Sequence, residues 1–216
     1  ICGSIMSKKI SEGIKGLVLD IKVGNGAFMK EMDAAQSLGK LLTQVGELYG
    51  LIMSVNYSDM NQILGNSAGI WCEVQESIDA LQGNGPNDVM DLTKSLCMKA
   101  LKLANIDDAE TKVQSVIDNG SAYEVFEKMV FAHGGRLIKT DNIPKYETVI
   151  TVEKTGYLSS MDTEQVGFAI IEAGGGRKKQ NDVLDSTAGI SINKKIGDSI
   201  EKGEELCRIF GNNKSK

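Results

Sequence analysis

The chain has 216 residues, 41% of them hydrophobic and 25% charged, with a formal net charge of −5. That length suits one large domain or two small ones, and the acidic balance, with no basic stripe, argues against a nucleic-acid surface. The one basic cluster, Gly176–Lys179, reads as a solvated loop, and no apolar run approaches the roughly 18 residues of a membrane span.

Residues Ser4 to Gly13 are predicted to form a short helix. The run GLVLDIKV (Gly16–Val23) is apolar and partly β-branched, as a buried strand is. The glycine turn GNGAF follows. Leu38, Leu41, Leu42, Val45 and Leu48 then recur at helical spacing, and Gly50 stands where a helix stops. LIMSVNY (Leu51–Tyr57) is a second strand. Strand, turn, helix and strand make a βαβ unit, which implies a parallel pair. Helices are predicted from Trp71 to Ala132. Gly83 closes the first, Pro86 suits the first turn of the next, and SAYE (Ser121–Glu124) has the pattern of a capping box.

The character changes after about Asp141. YETVITVEK and GYLSSMD read as strands with a turn between them, and Asp162–Ala173 as a helix. The last stretch, AGISINKKIGDSIEKGEELCRIF, alternates apolar and polar residues around Gly197 and Gly203, a β-hairpin pattern. The expected fold class is α/β: a mixed sheet with flanking helices, followed by a C-terminal α+β subdomain with β-hairpins. The expected division is at residues 11/12 and 140/141.

Four places invite chemistry. Ile1, Ser4, Ile5 and Lys8 fall at i, i+3, i+4 and i+7, so they share one helical face. An apolar wall with a few placed polar groups is how small-molecule pockets are lined. The alternative is a surface lysine whose stem covers a core stripe. The GNGAF loop lies between strand and helix, where phosphates bind, yet it lacks both GxGxxG and the P-loop pattern, and a tight turn is equally open. Asp20 and Lys22 alternate within the first strand and share a face; burial there requires partners. Gly65 and Gly69 precede a helix carrying Glu73 and Glu76. Loop carbonyls plus a carboxylate suit a hard cation, and acidic residues at a helix start suit the helix dipole alone.

Other signals are quieter. His133, the sole histidine, lies in the last turn of a helix, where a cation is favourable without any catalytic duty. Cys2, Cys72, Cys97 and Cys207 are scattered without metal-ligand spacing and read as buried free thiols of a reducing cytoplasm. The glycine-punctuated hairpin near Lys194 and Lys195 has the architecture of biotinyl and lipoyl carriers without their flanking pattern.

Taken in order, SIMSKKISEGIKGLVLDIKVGNGAFM, SDMNQILGNSAGIWCEVQESIDALQGNGPNDV, DTEQVGFAIIEAGGGR and KKIGDSIEKGEEL resemble the pyrimidine nucleoside and thymidine phosphorylases over essentially the whole chain. The resemblance implies reversible phosphorolysis of uridine, thymidine or deoxyuridine to free base and a pentose 1-phosphate. This is a pentosyl-transfer reaction of nucleoside salvage, with phosphate as co-substrate and no required cofactor. The base-holding serine and lysine of that family match Ser4 and Lys8, with Lys8 in the catalytic role. The apolar wall matches Ile1, Ile5 and Phe28. A structural monovalent cation, K+ in this family, would take the carbonyls of Leu64 and Ser67 and the carboxylate of Glu76. Ile63, Ser67, Ile70 and Trp71 depart from the family's usual residues there.

Residues 1–11 are implied to be the end of an α-domain helix, 12–140 part of the α/β phosphorylase domain and 141–216 the C-terminal subdomain. The family's phosphate-binding lysine, serines and threonine, its catalytic histidine and its base-binding arginine lie upstream of the motif that begins this chain. No KHSTGG-like stretch occurs among the 216 residues. The expectation is therefore an N-terminally truncated part of a cytoplasmic homodimeric enzyme, inactive in isolation. The alternative is a non-catalytic α/β binding or structural module. Neither nucleic acid nor membrane is an expected partner.

Overall fold

The computed structural model describes residues 1–137 and 142–212. The chain runs through α1 (Cys2–Ser11), β1 (Gly16–Val23), α2 (Met32–Leu48), β2 (Ile52–Asp59), β3 (Ser67–Gly69), α3 (Trp71–Leu81), α4 (Asn87–Leu103), α5 (Ala109–Asp118) and α6 (Ser121–Ala132). It continues with β4 (Tyr146–Thr151), β5 (Gly156–Tyr157), α7 (Thr163–Ile170), β6 (Gly189–Ser191), β7 (Ser199–Ile200) and β8 (Glu205–Gly211). Sheets flanked by helices make an α/β fold, as expected.

The predicted βαβ unit is present. β1 and β2 pair in parallel, from Gly16 opposite Ile52 to Val23 opposite Asp59. Alternation sends Leu17, Leu19, Ile21 and Val23 to one face, where Met6, Ala35 and Leu42 complete a core. Met6 and Leu42 are each 1% exposed; burial of side chains this size stabilises by roughly 1.5–3 kcal/mol each. α2 approaches β2 closely because position 39 is glycine: a Cβ there would overlap the Tyr57 hydroxyl. The other face carries Asp20, Lys22, Asn56 and Ser58, and α4 packs there, with Lys99 reaching Asn56.

The second sheet is antiparallel in the order β3-β6-β8-β4, and β5 pairs separately with β7. Its core holds Ile63, Met161, Ile190, Ile192 and Cys207. The structure differs from expectation here. β4 and β5, predicted as neighbours across a turn, belong to different sheets; β4 pairs with β8. The C-terminal stretch is no plain hairpin either: β6 pairs with β8 while β7, between them, leaves for β5. β3 is not predicted at all, and it joins the earlier part of the chain to β6 of the later part.

Two helix ends also differ. The capping box at Ser121 does not form. Gly120, with φ 79°, is the N-cap of α6, and the Asn119 carboxamide accepts from the Ser121 N–H at 2.9 Å. The helix predicted to Ala173 ends as an α-helix at Ile170 and continues as a π-turn through Gly175, where Gly174 takes φ 104°. Its start is conventional: the Asp162 carboxylate caps Gln165 N–H at 3.1 Å.

Candidate functional site

α1 turns a different stripe inward from the one its spacing suggested. Cys2, Ile5, Met6 and Ile10 pack on the first core. Of the predicted face, only Ile5 joins them. Ile1 is 60% exposed, and Ser4 and Lys8 are exposed one turn apart. Two stripes sharing Ile5 compete on this helix, and the one holding the fully buried Met6 faces the core. Lys8 and Lys9 both sit in the last turn, favourable against the helix dipole. Lys9 pairs with Glu12 at 3.3 Å. Among the described residues nothing holds the Lys8 ammonium or the Ser4 hydroxyl. Phe28, the remaining member of the expected wall, is 77% exposed in the loop after β1. The five residues therefore do not line a closed pocket. They are a solvent-facing hydroxyl and ammonium beside exposed Ile1, with Ile5 half-buried on the core and Phe28 exposed in a separate loop.

The glycine loop after β1 is a tight turn whose amides from Gly24 to Ala27 are engaged within the protein. Gly24 N–H donates to Met29 C=O, Gly26 N–H to Met60 C=O and Ala27 N–H to Gly24 C=O, each at 3.0 Å. Asn25 N–H donates to Asn61 Oδ1, also at 3.0 Å. A cradle needs convergent free N–H groups, and the run from Gly24 to Ala27 offers none. The Asn25 carboxamide instead reaches the C-terminal part of the chain. It donates to Met161 C=O and accepts from Thr163 N–H, both at 2.8 Å. Lys30 donates to Asn25 C=O and pairs with Glu164 at 3.4 Å.

Asp20 and Lys22 do pair, as burial required. Asp20 also accepts from Asn56 Nδ2 at 2.9 Å and from the Ser58 hydroxyl at 2.8 Å. Burial raises the Asp20 carboxyl, but Lys22, Asn56 and Ser58 together outweigh it and hold the group below the usual carboxylate range. The cluster is internally satisfied.

The loop from Ile63 to Ser67 carries the expected cation donors. Leu64, Ser67 and Glu76 line one cavity of about 330 Å³, together with Glu73, Thr163, Val166 and Ile170. Glu76 accepts from Asn66 N–H at 3.0 Å. Burial pushes its carboxyl up; the Asn66 N–H, the Ser67 hydroxyl and the Lys195 charge oppose that without cancelling it. The positive charge on this loop is already protein-borne. The Lys195 ammonium donates to Ile63 C=O at 2.9 Å, to Gly65 C=O, and to Asp88 Oδ2 at 2.7 Å. The donors surround a cavity, and the ammonium sits on the carbonyls of Ile63 and Gly65 beside them.

Sequence reasoning missed Lys195 and Asp88 as site residues. Their partners lie more than a hundred positions away, and no local spacing signals such a contact. Lys194 is also held, by Glu204 at 2.6 Å and by Ser199 C=O at 3.1 Å, so neither lysine is the free hairpin tip a carrier domain needs. His133 caps α6 and bonds Met129 C=O through Nδ1 at 2.8 Å, an end-of-helix role. Of the four thiols, all free, Cys207 alone is fully buried and Cys97 is exposed. Burial, reinforced by Glu73, pushes Cys72 up to about 11. Among the described residues no cluster of three or more His, Cys, Asp or Glu suits a metal ion. No described helix is long and apolar enough to cross a membrane.

The parallel βαβ unit with its helices falls in a known class: residues 2–123 match the glycosyl transferase family, a/b domain. Residues 157–216 match the pyrimidine nucleoside phosphorylase C-terminal domain. Curated relatives agree. The chain is 37% identical to the pyrimidine-nucleoside phosphorylases of Staphylococcus aureus strains bovine RF122 / ET3-1, USA300 and NCTC 8325 / PS 47. Each match covers 98% of this chain and 51% of the relative, so the chain spans about half the length of these relatives. The chain belongs to the pyrimidine nucleoside phosphorylase family.

Proposed function

We propose that the chain supplies the base-recognition part of a pyrimidine nucleoside phosphorylase, acting on uridine, thymidine or deoxyuridine. The observation that carries this reading is the pairing on α1: a hydroxyl and an ammonium, one turn apart, exposed and without protein partners. Phosphate attacks C1′ of the pentose, the glycosidic bond breaks, and its electron pair leaves with the pyrimidine. Negative charge then develops on the carbonyl oxygens and N3 of the base. Lys8 meets that charge with its ammonium and Ser4 with its O–H. Donors fixed before the charge appears stabilise it most. Ile1, Ile5 and Phe28 furnish apolar surface beside the base, and Ile5, anchored in the core, fixes the helix that carries both donors.

The same reading puts the phosphate site outside these 216 residues: the amides of Gly24–Ala27 are engaged, and the sequence carries no KHSTGG-like stretch. Homodimerisation and a cytoplasmic setting belong to the same reading. Thymidine and uridine phosphorolysis, assayed with the N-terminal half of a relative supplied in trans, tests it. Lys8→Ala is expected to lower kcat/KM on the order of 100-fold or more. Near-normal turnover in that variant refutes the role. The second reading, a non-catalytic α/β binding or structural module, is favoured by the fully engaged amides of the Gly24–Ala27 loop. It predicts no turnover in any combination, with or without the second half.

A further inference from the structure

The Ile63–Asn66 stretch is zipped to the turn that follows β6. Gln62 Oε1 accepts from Ile196 N–H and Asn66 C=O from Ile192 N–H, both at 2.8 Å. Asp198 Oδ2 accepts from Lys195 N–H at 2.8 Å, which fixes the backbone from which the lysine departs. An ammonium has three donors. Those of Lys195 meet three acceptors, two loop carbonyls and the carboxylate of Asp88, on a side chain only 23% exposed. Asp88 in turn accepts from Gly65 N–H at 3.1 Å. This is the coordination a monovalent cation would provide, made from oxygen donors but centred on nitrogen.

We propose that the Lys195 ammonium is the built-in cation of the Ile63–Ser67 loop, a positioning residue for the cavity that loop lines, and that the loop takes no potassium ion in this protein. The carbonyls of Ile63 and Gly65 are turned to the ammonium. A second cation at Leu64 and Ser67 would face the ammonium across the same short loop, like charge against like charge. The proposal does not depend on the phosphorylase reading, because its test reads melting and not turnover.

The test is thermal unfolding of the 216-residue chain in choline, potassium and ammonium chloride at equal ionic strength. The wild type is expected to melt at one temperature in all three. Lys195→Met keeps the stem and removes the charge. In choline chloride it is expected to melt about 5 °C or more lower, since removing the ammonium leaves a half-buried Asp88 and two carbonyls without their shared donor. Potassium or ammonium at tens of millimolar should restore much of that loss. If the variant does not fold in choline chloride, refolding into ammonium chloride replaces the melt, and return of a cooperative transition supports the proposal. Potassium-specific stabilisation of the wild type overturns it. So does a variant indifferent to all three salts, or one that ammonium cannot refold.

Discussion

Asn25 uses both ends of its carboxamide on a segment more than 130 positions away, at Met161 and Thr163. Asn25→Ala leaves a carbonyl and an N–H without partners. Such losses cost about 1–3 kcal/mol each when the group is buried, and Thr163 is 7% exposed. A drop of roughly 2–4 kcal/mol in unfolding free energy is expected by urea titration; a change under about 0.5 kcal/mol would show that the contact is idle. The cysteines give a second residue-scale expectation. Brief alkylation near pH 8 should label exposed Cys97 first. Cys207 is buried and Cys72 is held protonated by burial, so both should react slowly until the chain unfolds. Peptide mapping that finds Cys207 modified first would contradict the packing described.

At the scale of elements, α2 and β2 meet through Gly39. Gly39→Ala is expected to destabilise by about 1–2 kcal/mol, because overpacking against Tyr57 exceeds the gain in helix propensity. Tyr57→Phe removes the obstructing oxygen, so the double variant should show a smaller penalty than the sum of the two changes. Strict additivity by thermal melts would place the clash elsewhere. This βαβ unit was legible in the sequence because each part carries its own mark: a β-branched run in β1, leucines at helical spacing in α2 and Gly50 at the stop. Other features carry none. β3 is three residues long, too short for alternation to register. The core-facing stripe of α1 was not legible, because two stripes share Ile5 and only the packing of Met6 decides which one faces the core. Lys195 and Asn25 act through partners set by topology, which local spacing does not encode. The exposure of Ser4 and Lys8 was not legible either.

For the molecule as a whole, the acid limit rests on carboxyls held low, three partly buried aspartates among them. Asp20, Asp88 and Asp185 each feel burial, which raises them, and each is nevertheless held below its ordinary value by hydrogen bonds and, at Asp20 and Asp88, by lysine. A group with a depressed folded-state value contributes stability above its unfolded value and loses it as pH falls through the folded one. Stability should therefore fall below about pH 4, while Glu76, whose carboxyl is pushed up by burial, works the other way and costs stability as pH rises through its folded value. Asp185 is bonded to Thr187 and Asn212, so Asp185→Asn should flatten part of that slope. A variant whose acid slope equals that of the wild type would remove Asp185 from the list.

The union of β3 with β6 has a consequence for how the chain is made. Ser67 lies opposite Ser191 and Gly69 opposite Gly189, so the ladder joins segments separated by most of the sequence. Contacts this distant are closed late, because the intervening chain must first give up its freedom. On a ribosome, β1, α2 and β2 can assemble as soon as they emerge. The Ile63–Ser67 loop beside them cannot take its final shape until β6 and Lys195, more than 120 residues further along the chain, have been synthesised.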